Sequence, residues 1–186
     1  MQHAKEQILC TQYPKIFKST FQIPDNGFYI WGIDCGEGWF EILDVCCDAI
    51  QRHIDASRIQ RKSDLIFNRA LKKAIAGNRE SLIRYFSGVK YPEGYVDNLI
   101  EDCVANERYK EVREAVPQVV ATQVKEKFGL LSFYYNGGDD YTDGIIATMG
   151  LWSSTVCEVC GEKGRLRGRQ GWLYTSCEEH SRKFEI

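Results

Sequence analysis

Two short ligand pairs near the C-terminus, one Cys–Cys and one Cys–His, constrain this chain more than any other feature. Cys157-Glu158-Val159-Cys160-Gly161 is a CxxCG knuckle, and Cys177-Glu178-Glu179-His180 supplies a second pair at matching spacing. A tight turn lets the two thiolates of such a knuckle point at one ion, and the glycine after it accepts the left-handed turn that a side chain would resist. The sixteen residues between the pairs include Gly164, Gly168 and Gly171 among Leu166, Trp172, Leu173 and Tyr174. That composition suits a β-hairpin returning the chain to the metal. The sequence therefore predicts one structural zinc ion held by Cys157, Cys160, Cys177 and His180. Four protein ligands leave no position for the water that a catalytic zinc needs.

The arrangement around the knuckles narrows the choice further. Glu178 and Glu179 would occupy the first turn of a terminal helix, where acidic side chains meet the helix dipole favourably, which favours a treble clef over a zinc ribbon. Nucleases of the HNH type also build on a treble clef, but they need a histidine near the knuckle, and Gly161 to Ser176 contains none. The other cysteines among the eight are read as reduced thiols, because the start Met1-Gln2-His3-Ala4-Lys5-Glu6 lacks the apolar segment of an export signal. No apolar run approaches membrane-spanning length, so the expected location is cytoplasmic, the host cytoplasm if the chain is phage-encoded.

At 186 residues, 44% hydrophobic and 27% charged, the chain has room for one main core plus a small satellite. The reading places an α+β main domain at 1–154, with a helical insertion at about 55–115, and a zinc-binding module at 155–186. The formal charge of −2 gives no global attraction to nucleic acid. Local clusters remain: Arg58, Arg61, Lys62, Arg69, Lys72 and Lys73, with Asp64 the one acid among them, and the alternating Arg165, Arg167 and Arg169. On a strand those three arginines would share a face with access to phosphates, Trp172 and Tyr174 adding stacking surfaces, but nearby Glu158, Glu162, Glu178 and Glu179 nearly cancel their charge.

Periodicity outlines the elements. Phe17 to Ile33 reads as a hairpin or extended segment around Pro24-Asp25-Asn26-Gly27. Trp39, Leu43, Cys46, Cys47, Ile50 and Ile54 recur at helical spacing, and Leu65, Ile66, Ala70 and Leu71 suggest a second helix ending near Gly77. Asn78 is the expected N-cap of a short helix carrying Leu82, Ile83 and Phe86. Val96, Leu99, Ile100, Cys103 and Val104 mark another helix running toward Val112. Two strands flank Lys125-Glu126-Lys127-Phe128-Gly129, and Thr142 or Asp143 is expected to cap a helix with Ile145, Ile146, Met149 and Trp152 inward. The expected fold is α+β: a small antiparallel sheet packed by helices, with a C-terminal treble-clef or zinc-ribbon module.

The ordered set Asp34-Cys35-Gly36-Glu37-Gly38-Trp39-Phe40, then Val124-Lys125-Glu126-Lys127-Phe128-Gly129 with its following aromatic strand, then the two cysteine pairs, resembles a group of uncharacterised phage and bacterial proteins. The likeness covers the first helix and the region from about Gln118 onward, and residues 55–115 fall outside it. Where the group tends to carry an arginine just after the glycine, this chain reads Leu130-Leu131-Ser132-Phe133. Small phage proteins often block a host factor or a signalling nucleotide. By that analogy the expected function is a non-catalytic intracellular binding protein that inhibits a host defence factor or sequesters a nucleotide ligand. The expected partners are thus a host protein or small nucleotide, with nucleic acid a further candidate and no membrane.

Two alternatives stand beside it: a nucleic-acid-binding zinc protein using the basic clusters, and an enzyme centred on Cys35, placed before a helix N-terminus. The candidate ligand-binding residues are Asp34, Glu37, Lys125, Lys127, Arg165 and Arg167. The plainer reading of Asp34, Glu37, Lys125, Glu126 and Lys127 is an ion-pair network over a core contact between Trp39 and Phe128.

Overall fold

The structure, a computed structural model, describes residues 1, 3–18 and 32–181. Along them run α1 (His3–Gln12), β1 (Ile33–Asp34), α2 (Phe40–Ile75), α3 (Glu80–Phe86), α4 (Tyr95–Ala105), β2 (Val120–Lys127), β3 (Leu130–Asn136), α5 (Asp140–Ser153), β4 (Arg165–Arg169), β5 (Trp172–Ser176) and α6 (Glu178–Ser181). The protein is α+β with small sheets. The chain divides into two compact units, one of residues 1–54 with 116–186 and the other of residues 55–115. The cysteine pairs belong to the first unit.

In the first unit β2 and β3 form an antiparallel pair, and β1 joins β2 in parallel, Ile33 opposite Val124 and Asp34 opposite Lys125. The three-stranded sheet is therefore mixed rather than purely antiparallel. Its core gathers Leu9 and Ile16, Ile33, Trp39, Leu43, Cys47, Ile50 and Ile54, Val119, Val124, Phe133 and Met149. The helix α1, for which the sequence reading named no element, buries Leu9 and Cys10. β4 and β5 make a separate hairpin. The hairpin expected around Pro24–Gly27 lies outside the described residues.

The second unit packs Phe67, Ala70, Leu71 and Ala74 of α2 against Leu82 of α3 and Ile100 and Cys103 of α4. Two helices were expected between Trp39 and Gly77, and the structure has one of 36 residues. No glycine or proline falls between Trp39 and Ala76, so nothing in the polar stretch breaks the hydrogen-bond ladder. The inward face also differs: Leu65 and Ile66 are exposed, while Phe67 and Asp64 turn inward. Asp64 accepts a hydrogen bond from Gln60 Nε2 at 2.9 Å and pairs with Lys110 Nζ at 3.4 Å. Lys110 in turn sits 4.8 Å above the Phe67 ring, so the buried carboxylate is satisfied.

The helix ends show local chemistry winning over periodicity. α2 stops with Gly77 at φ +97 while Asn78 N donates to Lys73 O at 2.9 Å, the Schellman closure. α4 ends in the same way at Ala105 rather than near Val112. Glu107 takes φ +47 and Arg108 N reaches back to Cys103 O at 3.0 Å. Asn78 Oδ1 accepts from Glu80 N at 3.2 Å as α3 begins. The cap of α5 is Asp139, not Thr142 or Asp143: its extended backbone lets Oδ1 accept from both N and Oγ1 of Thr142 at 3.1 Å.

Candidate functional site

The four predicted ligands converge. The Sγ atoms of Cys157, Cys160 and Cys177 and a ring nitrogen of His180 all lie within 4.8 Å of one another. Cys160 and Cys177 sulfurs are 3.8 Å apart, and His180 Nδ1 is 3.6 Å from the Cys157 sulfur and 3.2 Å from that of Cys177. A tetrahedral ion with zinc's bond lengths has edges of roughly 3.8 Å between sulfurs and roughly 3.6 Å from sulfur to nitrogen. The donor set fits such an ion.

Local structure aims these atoms. Gly161 takes φ +83 and its N–H closes the first turn on Cys157 O at 2.9 Å, while β4 and β5 return the chain so that Cys177 precedes α6. Burial opposes charge on Cys157, but the backbone N–H groups of Cys177, Cys160 and Val159 outweigh it and hold the thiol below its ordinary value. Desolvation, together with the neighbouring sulfurs, pushes the Cys160 thiol up to about 11. A central divalent cation removes that repulsion.

The glycine-rich segment before α2 is the seat of the first knuckle. Gly36 N donates to Glu158 Oε1 at 2.9 Å, Gly38 N to Glu158 O at 2.8 Å, and the fully buried Trp39 donates through Nε1 to Val156 O at 2.8 Å. A Cβ on Gly36 would lie 2.1 Å from Glu158 O, and one on Gly38 would lie 2.1 Å from Cys157 O. Both positions therefore require glycine for close approach rather than for turn geometry.

Asp34, Glu37, Lys125, Glu126 and Lys127 separate into pieces. Asp34 stands opposite Lys125 in the sheet register, and Glu37 pairs with Lys5 at 3.3 Å. Glu126 Oε1 accepts from Gly129 N at 2.5 Å. Arg165 and Arg167 both pair with Glu178, which balances much of their charge. The core contact between Trp39 and Phe128 does not form: Trp39 is buried, whereas Phe128 is 68% exposed. The reason is the turn. Phe128 and Gly129 take φ +55 and +78 to join β2 to β3, so the phenyl ring is carried outward at the tip.

That tip and the β4–β5 tip line one cavity of about 280 Å³, walled by Lys125, Glu126, Lys127, Phe128, Gly171, Trp172 and Leu173. Gly129 seats the two together, since a Cβ there would meet Leu166 Cδ1 at 2.4 Å, and Thr175 Oγ1 donates to Gly129 O at 2.6 Å. Trp172 is 69% exposed and faces Arg169 across the hairpin. The Lys127 ammonium lies 5.6 Å from the Phe128 ring, and that of Lys125 lies 5.7 Å from the Tyr134 ring. Two exposed aromatic side chains with two lysines offer a stacking surface and positive charge in one place. The sequence had marked Trp172 but placed Phe128 in the core. The tell was an aromatic residue directly before a turn glycine.

Cys35 lies elsewhere in chemical character. It is buried, and desolvation pushes its thiol up to about 12. His53, in α2, is held by Asp139 at 2.8 Å and its ring lies tilted against that of Tyr141, centroids 4.4 Å apart. A thiol with so little thiolate at neutral pH is a poor nucleophile. No helix among the described residues is long and apolar enough to cross a membrane. Comparison with protein-family models, with curated proteins and with solved structures finds no match.

Proposed function

We propose that this is a non-catalytic binding protein whose cavity between the two hairpin tips takes a nucleotide unit, with the metal-bound hairpin as half of the site. The base stacks on Phe128 and Trp172, and Lys125 and Lys127 meet the phosphate. The observation that carries this reading is the pair of two-thirds-exposed aromatic rings in a lysine-lined cavity. Phe128 is held in the left-handed region at φ +55, an uncommon and strained conformation for a bulky side chain. The metal is read as zinc, closed by four ligands and structural. The second ligand pair straddling the start of α6 favours a treble clef over a ribbon. Buried Cys35 supports a role without chemistry. The resemblance to phage proteins fits a binder that sequesters a host nucleotide, and of the two expected partner classes the cavity favours the nucleotide over a host protein.

The test is titration of the metal-loaded protein with nucleoside mono- and diphosphates and with a short single-stranded oligonucleotide, read by calorimetry. Saturable binding by either class, weakened roughly fivefold or more in Trp172→Ala, is the expected outcome, since stacking on one aromatic contributes about 1–3 kcal/mol per base. Preference between free nucleotide and strand identifies the source. Failure of both to bind, or binding indifferent to Trp172, overturns the reading.

A further inference from the structure

The second unit carries a basic face that the cavity does not use. The sequence places six cations between Arg58 and Lys73 with Asp64 among them, and the structure turns Asp64 inward, where Gln60 and Lys110 occupy it. No exposed position of α2 from residue 56 to residue 75 is acidic. Arg58 and Arg61 are paired, with Asp55 and Glu114. Lys62, Arg69, Lys72 and Lys73 are exposed and have no ion-pair partner among the described residues. At 100° per residue, Lys62, Arg69 and Lys73 fall within an arc of about 40° and span roughly 16 Å of helix, with Lys72 flanking them.

Helix stability explains part of this. Lys72 and Lys73 lie in the last turn, where cations suit the helix dipole. Lys62 and Arg69 are one to three turns earlier and gain nothing from it. Like charges repeated along one face without acids repel one another, so the row suits a polyanion better than solvent. We propose that this face of α2 docks the phosphate backbone of a nucleic acid. An anionic membrane fits less well, because no exposed position on this stretch is aromatic and the exposed Ile59, Leu65 and Ile66 are interspersed with the cations. The contact reads charge and not base identity, since three of the four cations are lysines, whose ammonium acts as a point charge on phosphate and not as a planar fork. This proposal is independent of the nucleotide reading of the cavity.

The experiment is fluorescence anisotropy of the full metal-loaded chain with a labelled 30-base-pair duplex across a salt series. It is repeated with the K62Q/R69Q/K72Q/K73Q variant and, as a control for the cavity, with Trp172→Ala. The expected result is binding whose log–log salt slope is near −3.6, about −0.9 for each of the four cations. The quadruple variant flattens that slope almost completely, and Trp172→Ala leaves it unchanged. Should the quadruple variant fail to fold, R69Q and K73Q singly each lower the slope by about 0.9. No duplex binding at about 50 mM salt, a salt regime in which phosphate contacts are strong, overturns the proposal. So does a slope unaltered by these substitutions, or binding to anionic phosphatidylserine vesicles or polyglutamate in place of the duplex.

Discussion

Residues 34–40 and 124–129 read alike in the sequence, each a short run of charge, aromatic and glycine, yet the structure uses them in opposite ways. In the first, the glycines pack under the Cys157–Gly161 knuckle and Trp39 is buried with its indole N–H satisfied. In the second only Gly129 is packed so tightly, while Phe128 is exposed on a strained turn with Lys125 and Lys127 beside it. A motif in which a Cβ on either glycine would fall 2.1 Å from a backbone oxygen is explained by packing. One that holds a strained turn with its ring exposed is not, and the proposed ligand is offered as its explanation.

Substitutions break this contrast in graded fashion. The largest effect belongs to the metal ligands: Cys157→Ser or chelation should unfold the β4–β5 hairpin and lower the thermal midpoint by more than about 10 °C, because structural metal binding contributes directly to folding. Differential scanning calorimetry with and without chelator reads it. Gly38→Ala comes next. The new Cβ meets Cys157 O and Gly161 N at 2.1 and 2.4 Å, both backbone atoms that cannot swing away, so a loss of roughly 3 kcal/mol or more is expected in urea unfolding. Phe128→Asn should go the other way, raising stability by up to about 1 kcal/mol through relief of the left-handed strain while weakening ligand binding. Opposite signs for Gly38→Ala and Phe128→Asn would sharpen the contrast, and equal losses would erase it.

The smallest effect concerns the Asp139 cap of α5. Burial works against the charge of Asp139, but His53 and Thr142 outweigh it and hold the carboxyl below its ordinary value. A lowered folded value means that the stabilisation is complete above the ordinary carboxylate range. It is lost as pH falls through the folded value, below about 3.8. Asp139→Ala should cost about 1 kcal/mol at neutral pH, and the difference from the native protein should vanish in acid unfolding curves below that range.

The parts legible in the sequence were those fixed by short-range chemistry. Cysteine spacing alone identified Cys157, Cys160, Cys177 and His180, because ligand geometry is set within a few residues. The strands around Gly129 and the buried positions Leu43, Cys46, Cys47, Ile50 and Ile54 followed from periodicity. Long-range choices were not legible. Whether Leu65 or Phe67 faces inward depends on the helices that α2 meets, and the parallel pairing of β1 with β2 depends on a partner about 90 residues away. Glu37 was read as a ligand residue and instead pairs with Lys5 in α1, a helix with too weak a pattern to announce itself. Arg165 and Arg167 alternated as a phosphate-binding face would, but Glu178 takes both.

Amide hydrogen exchange at Gly36 and Gly38 tests the central contrast most directly. Both N–H groups donate to Glu158, between the first two metal ligands, at 2.9 and 2.8 Å. The account predicts slow exchange in the metal-loaded protein and at least a hundredfold faster exchange after chelation, a loss of about 2.7 kcal/mol of protection. Equal protection with and without metal would contradict it, because residues 34–40 would then hold their place without the knuckle.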